Sequence, residues 1–244
     1  MTTAARHLLV LGDSLAFHGP QRAEVPTTPG LYPNVCAAAL GSDVRVDLLA
    51  RLGWTARDAW WAVTKDPVAW GVYVPRADGL LLGVGGMDHL PAVVPTWVRE
   101  SLPYLRPGAV RRAARQGYVR WNPALVRATG GLMRQLPQAA TDRYLTRIVQ
   151  AVRHWRPGIP VVLLGPSPHD GPVYPSQRHH DPAVAAARAW AEAHGVGFVD
   201  VDPLVLPTIR AGTGNPDGMH WGWEAHDAVG RALADAFREQ GWVA

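Results

Sequence analysis

Cysteine is almost absent from this 244-residue sequence, and so are long apolar runs. Cys36 is the only cysteine, which excludes an intramolecular disulfide and gives no sign of an oxidising compartment. No apolar run approaches the roughly 20 residues that span a bilayer. Residues 1–6 lead straight into a predicted strand, without the pattern of a signal peptide. We therefore expect a cytoplasmic protein with no stable insertion into a membrane.

Lysine is as scarce as cysteine, although the chain is basic. Lys65 is the only lysine among 24 Lys and Arg residues, and the formal net charge is +4. The excess of arginine is typical of GC-rich coding, and we expect no nucleic-acid partner. Arginine pairs readily with phosphate or carboxylate, so a cluster of arginines is either an anion-binding surface or a solvated helix face. Such a cluster comprises Arg99, Arg106, Arg111, Arg112, Arg115, Arg120, Arg127 and Arg134.

Short apolar runs alternate with amphipathic stretches along most of the chain. This rhythm predicts βαβ units and one α/β domain over residues 1–244, with a mostly parallel five-stranded sheet between two helical layers. The predicted strands are His7–Leu11, Val44–Leu49, Gly79–Gly83, Pro160–Leu164 and Gly197–Val201. The predicted helices are Tyr32–Leu40, Thr141–His154, Pro182–His194 and Trp223–Gln240.

The middle of the chain breaks that rhythm. Residues 91–137 hold six prolines, which predicts short arginine-rich helical pieces between them. Because this segment follows the third strand, we expect it at the carboxyl ends of the strands, as a lid or cap inserted at about 91–137. The proline-rich stretch 165–172 follows the fourth strand and is expected at the same rim.

A serine directly after the first strand is the strongest candidate for chemistry. Ser14 follows Gly12-Asp13, and a serine nucleophile needs a base and a group that orients the base. Asp217 and His220 lie three residues apart near the other end of the chain, so one loop can carry both. Taken singly, Asp13-Ser14 is also an ordinary helix cap, and the segment after Asn215-Pro216 is an ordinary polar turn. Taken together, they predict a catalytic triad.

Four short sequence motifs, which include Ser14, Asp217 and His220, resemble the conserved blocks of the GDSL, or SGNH, family of serine esterases and acyltransferases. The resemblance spans most of the chain, in the family order: Gly12-Asp13-Ser14-Leu15, Gly53-Trp54-Thr55, Gly85-Gly86-Met87-Asp88 and Asp217-Gly218-Met219-His220. It implies a flavodoxin-like SGNH fold with Ser14, Asp217 and His220 as the triad. It also implies an oxyanion hole made by the backbone N–H groups of Ser14 and Gly53.

The third block departs from the family pattern. Met87 stands where the family has an asparagine that donates to the oxyanion, and a thioether cannot donate. Losing one such donor costs roughly 100- to 1,000-fold in turnover, which argues against a fast general esterase.

Several further stretches, 53–61, 85–91, 156–162 and 214–221, resemble the octanoyltransferase branch of the same family. Its members move an octanoyl group from octanoyl-CoA to a sugar hydroxyl of diglucosylglycerate, in methylglucose lipopolysaccharide biosynthesis. The resemblance implies a Ser14 acyl-enzyme, small-molecule substrates, and octanoyl-CoA as a donor rather than a bound cofactor. The residues that we expect to contact substrate are Asp13, Trp54, Met87, Asp88 and Trp221.

Other sites and functions receive less support. His179-His180-Asp181 lacks the ligand spacing of zinc motifs, so we expect no metal, and we expect His226 to be structural. The glycines around Gly85 lack dinucleotide-binding spacing, and the nucleophile elbow of α/β-hydrolases is absent. An esterase, thioesterase or carbohydrate deacetylase of the same fold remains the main alternative. A non-catalytic sugar- or lipid-binding protein is the second, and the oligomeric state is left open.

Overall fold

A computed structural model describes residues 5–94, 98, 101 and 104–242 of the chain. Its centre is a five-stranded sheet in the order β2-β1-β3-β6-β7, in which every pairing is parallel. The strands of this sheet are β1 (Arg6–Gly12), β2 (Val44–Ala50), β3 (Gly79–Gly83), β6 (Val161–Leu164) and β7 (Gly197–Val199). A separate antiparallel pair is formed by β4 (Pro91–Ala92) and β5 (Met133–Arg134).

Helices cover both faces of the sheet. On one face lie α1 (Tyr32–Leu40), α7 (Asp202–Arg210) and α8 (Trp223–Glu239). On the other lie α2 (Ala56–Lys65), α3 (Val74–Arg76), α5 (Gln138–Trp155) and α6 (His180–Ala193). The remaining long helix is α4 (Gly108–Thr129). Among the described residues, no helix combines the length and apolarity needed to cross a membrane.

The central strands are apolar on both sides because each side chain enters one of two cores. In β1, Leu8 and Val10 pack with α1 and α8, whereas Leu9 and Leu11 pack with α2 and α5. Strands β3 and β6 divide their residues in the same way. This alternation with a period of two is what a sheet buried on both faces requires.

The predicted fold is confirmed, and the boundaries of the predicted strands and helices agree with the structure to within about three residues. The sequence interpretation missed α2, α3 and α7. Helix α7 holds prolines at its start and in its interior.

The inserted segment differs from its prediction. In place of short helical pieces, α4 runs for 22 residues and continues through Pro123. Asn122, which is almost fully buried, donates its amide to the carbonyl of Val173 at 3.0 Å and so fixes the helix beside the proline. At the base of the segment, Pro91 pairs with Arg134 and Ala92 with Met133, which draws its two ends together. Arg99 lies outside the described residues.

Candidate active site

Ser14 lies where β1 ends, at the carboxyl edge of the sheet. Its neighbour Asp13 accepts a hydrogen bond from the N–H of Leu15 at 2.9 Å and caps the short 3₁₀ helix Ser14–Ala16. The capping role that the sequence suggested for this pair is therefore real. It holds Ser14 at the first position of a helical turn, where the backbone N–H has no partner within the helix.

The three predicted catalytic side chains come together from opposite ends of the chain. Oγ of Ser14 lies 2.9 Å from Nε2 of His220, and Nδ1 of His220 lies 2.6 Å from Oδ2 of Asp217. Ser14 and His220 are both buried, whereas the Asp217 side chain is 40% exposed. This is the order of contacts that a nucleophile, a base and an orienting carboxylate require.

The turn that carries His220 is held by the carboxylate of Asp217. Oδ1 of Asp217 accepts hydrogen bonds from the N–H groups of Met219 at 2.9 Å and His220 at 3.0 Å. Partial burial acts against the charged form, but the bonds from His220 and Met219 outweigh it and lower the pKa of Asp217 to about 2. The carboxylate is thus charged at neutral pH and holds the proton of His220 on Nδ1, leaving the Nε2 lone pair toward Ser14.

A second histidine, His18, which the sequence interpretation did not single out, packs on His220. The rings of His18 and His220 stack at 3.9 Å between centroids, while Nδ1 of His18 donates to the carbonyl of Gly19 at 2.8 Å. His226 secures this loop from α8, because its Nε2 donates to the His18 carbonyl and its Nδ1 accepts from the N–H of Tyr32. Fully buried and bonded in this way, His226 has the structural place expected of it.

The two predicted oxyanion donors have free N–H groups. Among the hydrogen bonds of the described residues, neither the N–H of Ser14 nor that of Gly53 has an acceptor. Gly53 adopts φ +73°, in the left-handed region that favours glycine. A Cβ built on it would lie 3.9 Å from Cε of Met87, so the glycine lies beside a side chain that lines the pocket over Ser14.

That pocket is small and mostly apolar. Its volume is about 30 Å³, enough for one or two water-sized groups. Its apolar walls come from Leu15, Met87, Leu90, Pro168 and Met219, and its polar ones from Asp13, Ser14, Ser167, His169 and His220; Gly86 also lines it. The stretch 165–172 therefore reaches the site rim as predicted.

The five residues expected to contact substrate occupy different places. Asp13 and Met87 line the pocket. Trp54 is half-buried against the core, with the Arg51 guanidinium 5.8 Å from its ring centre. Trp221 is fully buried and donates from Nε1 to Oγ of Ser167 at 3.0 Å. It supports the pocket wall from beneath and has no surface to offer a substrate.

Asp88, the fifth of these residues, lies inside the molecule, away from the pocket at Ser14. Its carboxylate accepts hydrogen bonds from the N–H of Ala56 and from Oγ1 of Thr141, at 3.1 and 2.8 Å. It thus joins the start of α2 to α5. Burial raises the pKa of Asp88 to about 7, although both hydrogen bonds act in the opposite direction.

Burial also raises the pKa of Asp13, to about 6, although the hydrogen bond from Leu15 and the proximity of His220 act to lower it.

Among the described residues, no group of three or more His, Cys, Asp or Glu side chains has the geometry of a metal site. His179 bonds to the carbonyl of Gly131, and His180 bonds to Asp202 and His89.

Comparison with known proteins agrees with this geometry. The model of the GDSL-like lipase/acylhydrolase family matches residues 10–228. The chain belongs to that family. Solved structures share the fold: a lipase/acylhydrolase from Enterococcus faecalis has a TM-score of 0.62 at 16% identity, with 97% of this chain and 96% of that chain covered. An inhibitor-bound aryl esterase from M. smegmatis also has a TM-score of 0.62 at 16% identity, with 96% and 99% covered.

Two enzymes are much closer in sequence. The diglucosylglycerate octanoyltransferase of Mycobacterium tuberculosis is 41% identical over 236 residues, which are 96% of this chain and 93% of that protein. The enzyme of the same name from Mycolicibacterium hassiacum is 41% identical over 235 residues, with 96% and 95% covered.

Proposed function

We propose that this protein transfers an octanoyl group from octanoyl-CoA to a sugar hydroxyl of diglucosylglycerate, through an acyl-enzyme on Ser14, in methylglucose lipopolysaccharide biosynthesis. The observation that carries the proposal is the Ser14–His220–Asp217 hydrogen-bonded chain. This protein is also 41% identical, over 96% of its length, to two enzymes named diglucosylglycerate octanoyltransferase. With a coenzyme A thioester as donor, the same proposal places the reaction in the cytoplasm.

In the first half-reaction, Ser14 takes the acyl group. Nε2 of His220 accepts the hydroxyl proton of Ser14 as Oγ attacks the thioester carbonyl. The N–H groups of Ser14 and Gly53 stabilise the negative oxygen of the tetrahedral intermediate, while Asp217 stabilises the imidazolium. The C–S bond then breaks, and coenzyme A leaves as the thiol with the proton from His220.

In the second half-reaction, the sugar takes the acyl group from Ser14. Nε2 of His220 accepts a proton from the acceptor hydroxyl, whose oxygen attacks the ester carbonyl of the acyl-enzyme. The new ester forms as the bond to Oγ breaks, and His220 returns the proton to Ser14. Water competes for this step, so a transferase must hold the sugar hydroxyl at Ser14 in preference to water.

The pocket over Ser14 supports an acyl substrate rather than a polar one. Met87 replaces an oxyanion donor with an apolar side chain, and with Leu90 and Met219 it gives the pocket an apolar wall. At about 30 Å³ the pocket does not hold eight carbons, so the octanoyl chain must either displace these side chains or extend beyond the pocket. Methionine suits such a wall because it is unbranched and adapts its shape at low cost.

The test uses the wild-type protein, octanoyl-CoA and diglucosylglycerate. Without the sugar, mass spectrometry should detect a protein heavier by one octanoyl group, and with the sugar an octanoylated product should accumulate. In Ser14→Ala, both the mass increase and the product should disappear. Thiol release that is equally fast without the sugar, with no acylated sugar formed, would show a hydrolase instead. Full transfer by Ser14→Ala would refute the nucleophile assignment.

A further inference from the structure

A second cleft lies beside the pocket that contains Ser14, and His169 lines both. This cleft has a volume of about 390 Å³, within the range of small-molecule sites and far larger than the pocket at the serine. Its polar lining consists of Arg127, His169, Asp170, Tyr174, Ser176 and Gln177. His169 is thus shared by the pocket at Ser14 and by a cleft of ligand size.

His169 is buried without hydrogen-bond partners for its ring. The residue is 3% exposed, and neither Nδ1 nor Nε2 has a partner among the described residues. Burial lowers the pKa of His169 to about 4, and the nearby His180 adds to this effect, so the ring is neutral at pH 7. A neutral imidazole offers one donor and one acceptor, which is the pair that a sugar hydroxyl can satisfy. Buried polar groups without partners are uncommon and call for an explanation.

Arg127 supplies the cleft with a positive charge. It lies on α4 and is exposed, and its guanidinium has no hydrogen bond or ion pair within the described part of the chain. Asp170 is the only acidic residue among those that line the cleft. The cleft therefore combines one free guanidinium with hydroxyl-binding groups, a pattern suited to a sugar that carries a carboxylate.

The wall of the cleft is joined to the catalytic turn. The N–H of Asp170 donates to the carbonyl of Gly218 at 2.7 Å, and Gly218 adopts φ +69°. A Cβ at Gly218 would lie only 2.4 Å from the carbonyl oxygen of Asp170, so only glycine allows this approach. A ligand held in the cleft is thereby fixed relative to Asp217 and His220.

We infer that this cleft is the acceptor subsite, in which Arg127 pairs with the carboxylate of the acceptor and His169 hydrogen-bonds the sugar beside Ser14. The inference rests on the proposed function and identifies which part of the protein distinguishes a glycerate-bearing sugar from a neutral one. The donor enters the pocket at Ser14, and the acceptor approaches from the other side of His169.

Arg127→Gln tests the charge pairing. We expect the KM for diglucosylglycerate to rise by about tenfold or more, while the burst of thiol release from octanoyl-CoA without acceptor keeps its wild-type rate. With the same disaccharide on glycerol in place of glycerate, Arg127→Gln and wild type should agree within about twofold. An equal loss with both acceptors would overturn the pairing. Arg143→Gln is the matched control, because Arg143 is also exposed and lies on α5, outside the cleft.

His169→Phe tests the hydroxyl contact, since phenylalanine fills a similar volume and makes no ring hydrogen bond. Transfer to diglucosylglycerate should fall by about 10- to 100-fold relative to the acylation of Ser14 by octanoyl-CoA in the same variant, and a larger share of acyl groups should pass to water. Circular dichroism verifies that the variant is folded. An unchanged ratio of transfer to hydrolysis would overturn the role of His169.

The outcomes separate the two proposals. A wild-type protein that transfers no octanoyl group to diglucosylglycerate refutes the proposed function, and the subsite with it. Wild-type transfer that persists with an unchanged KM in Arg127→Gln refutes the subsite alone.

Discussion

At the residue scale, Asp217 binds backbone and imidazole with the same carboxylate. Oδ1 closes the turn through two N–H groups, and Oδ2 faces Nδ1 of His220. With its pKa lowered to about 2, the group stays charged at any pH at which the imidazole acts as a base. Removing its charge therefore changes the tautomer of His220 without removing the turn.

Asp217→Asn should reduce octanoyl transfer by about four orders of magnitude, because an amide placed at Nδ1 favours the wrong tautomer of the base. Thiol release from octanoyl-CoA measures the loss, and circular dichroism verifies the fold. Asp227→Asn serves as the control, since Asp227 pairs with Arg231 on the surface of α8. A loss below tenfold in Asp217→Asn would contradict the orienting role.

The sequence predicts some of these residues well and others not at all. Ser14 was predicted because it directly follows the first strand in a recognisable motif. Asp217 and His220 were predicted because they lie three residues apart, just before the last helix. His18 was missed, and His169 was predicted only as one residue of the rim stretch 165–172, because each is a single histidine in a loop with no spacing to a partner. Their importance comes from where the chain folds them: His18 on the face of His220, and His169 between two pockets. Only three-dimensional contacts carry that information.

At the element scale, α1 and α8 approach closely at a glycine. A Cβ on Gly230 of α8 would lie 2.5 Å from Cβ of Val35 and 2.9 Å from the backbone carbonyl oxygen of Tyr32. Gly117 in α4 is the opposite case, because no described atom lies within 4 Å of its Cβ position. Gly230 and Gly117 are therefore a matched pair for substitution by alanine, one at a close helix contact and the other in open space.

Gly230→Ala should lower the free energy of unfolding by about 1–3 kcal/mol, since the two helices must separate. Gly117→Ala should raise it by about 0.5–1 kcal/mol, because alanine favours the helix. Urea denaturation followed by circular dichroism measures both. A Gly230→Ala protein as stable as the wild type would show that α1 and α8 separate without cost.

Asp88 also acts between elements, as the link from α2 to α5. Its raised pKa, about 7 against 3.8 unfolded, means that the folded state holds a proton that the unfolded state has lost between about pH 4 and 7. In that window the contribution of Asp88 to stability falls as pH rises. The buried histidines His89, His169 and His226, whose pKa values are lowered, act in the opposite direction below about pH 6.5.

Asp88→Asn therefore needs comparison with wild type at each pH. Relative to wild type, the variant should gain up to about 1.4 kcal/mol of unfolding free energy per pH unit between about pH 4 and 7, and then level off. The Thr141 hydroxyl can accept from the new amide, so the link itself persists. Urea denaturation across this range gives the difference, and parallel curves for the two proteins would exclude the raised pKa.

Helix α4 was not predicted as one long helix from the sequence. Proline inside a helix normally interrupts it, which is why short pieces were predicted between the prolines of residues 91–137. The helix continues past Pro123 because Asn122 bonds to Val173 in a distant loop and Val126 is fully buried. Tertiary contacts of this kind outweigh local propensity. The central strands were predictable because their composition alone requires burial on both faces.

At the scale of the whole molecule, Cys36 lies in the core between α1 and α8. It is fully buried, and burial raises the pKa of its thiol to about 12. A thiol reagent needs both access and a thiolate, so the native protein should react only through unfolding. Labelling by a thiol-specific chromogenic disulfide should be at least about 1,000-fold slower in native than in unfolded protein. Labelling at comparable rates would show that α1 detaches locally.

Two segments far apart in the sequence meet at one point of the sheet. Ser14 follows the first strand, and His220, its proposed base, lies 206 residues later, on the turn that precedes the last helix. That helix also fixes the loop after Ser14, through His226 bonded to the His18 carbonyl. During synthesis on the ribosome, a chain that has emerged only as far as β7 already exposes Ser14 but lacks Asp217 and His220. The proposed triad is therefore complete only when residues up to α8 have left the exit tunnel, so a nascent chain cannot carry out the proposed acyl transfer.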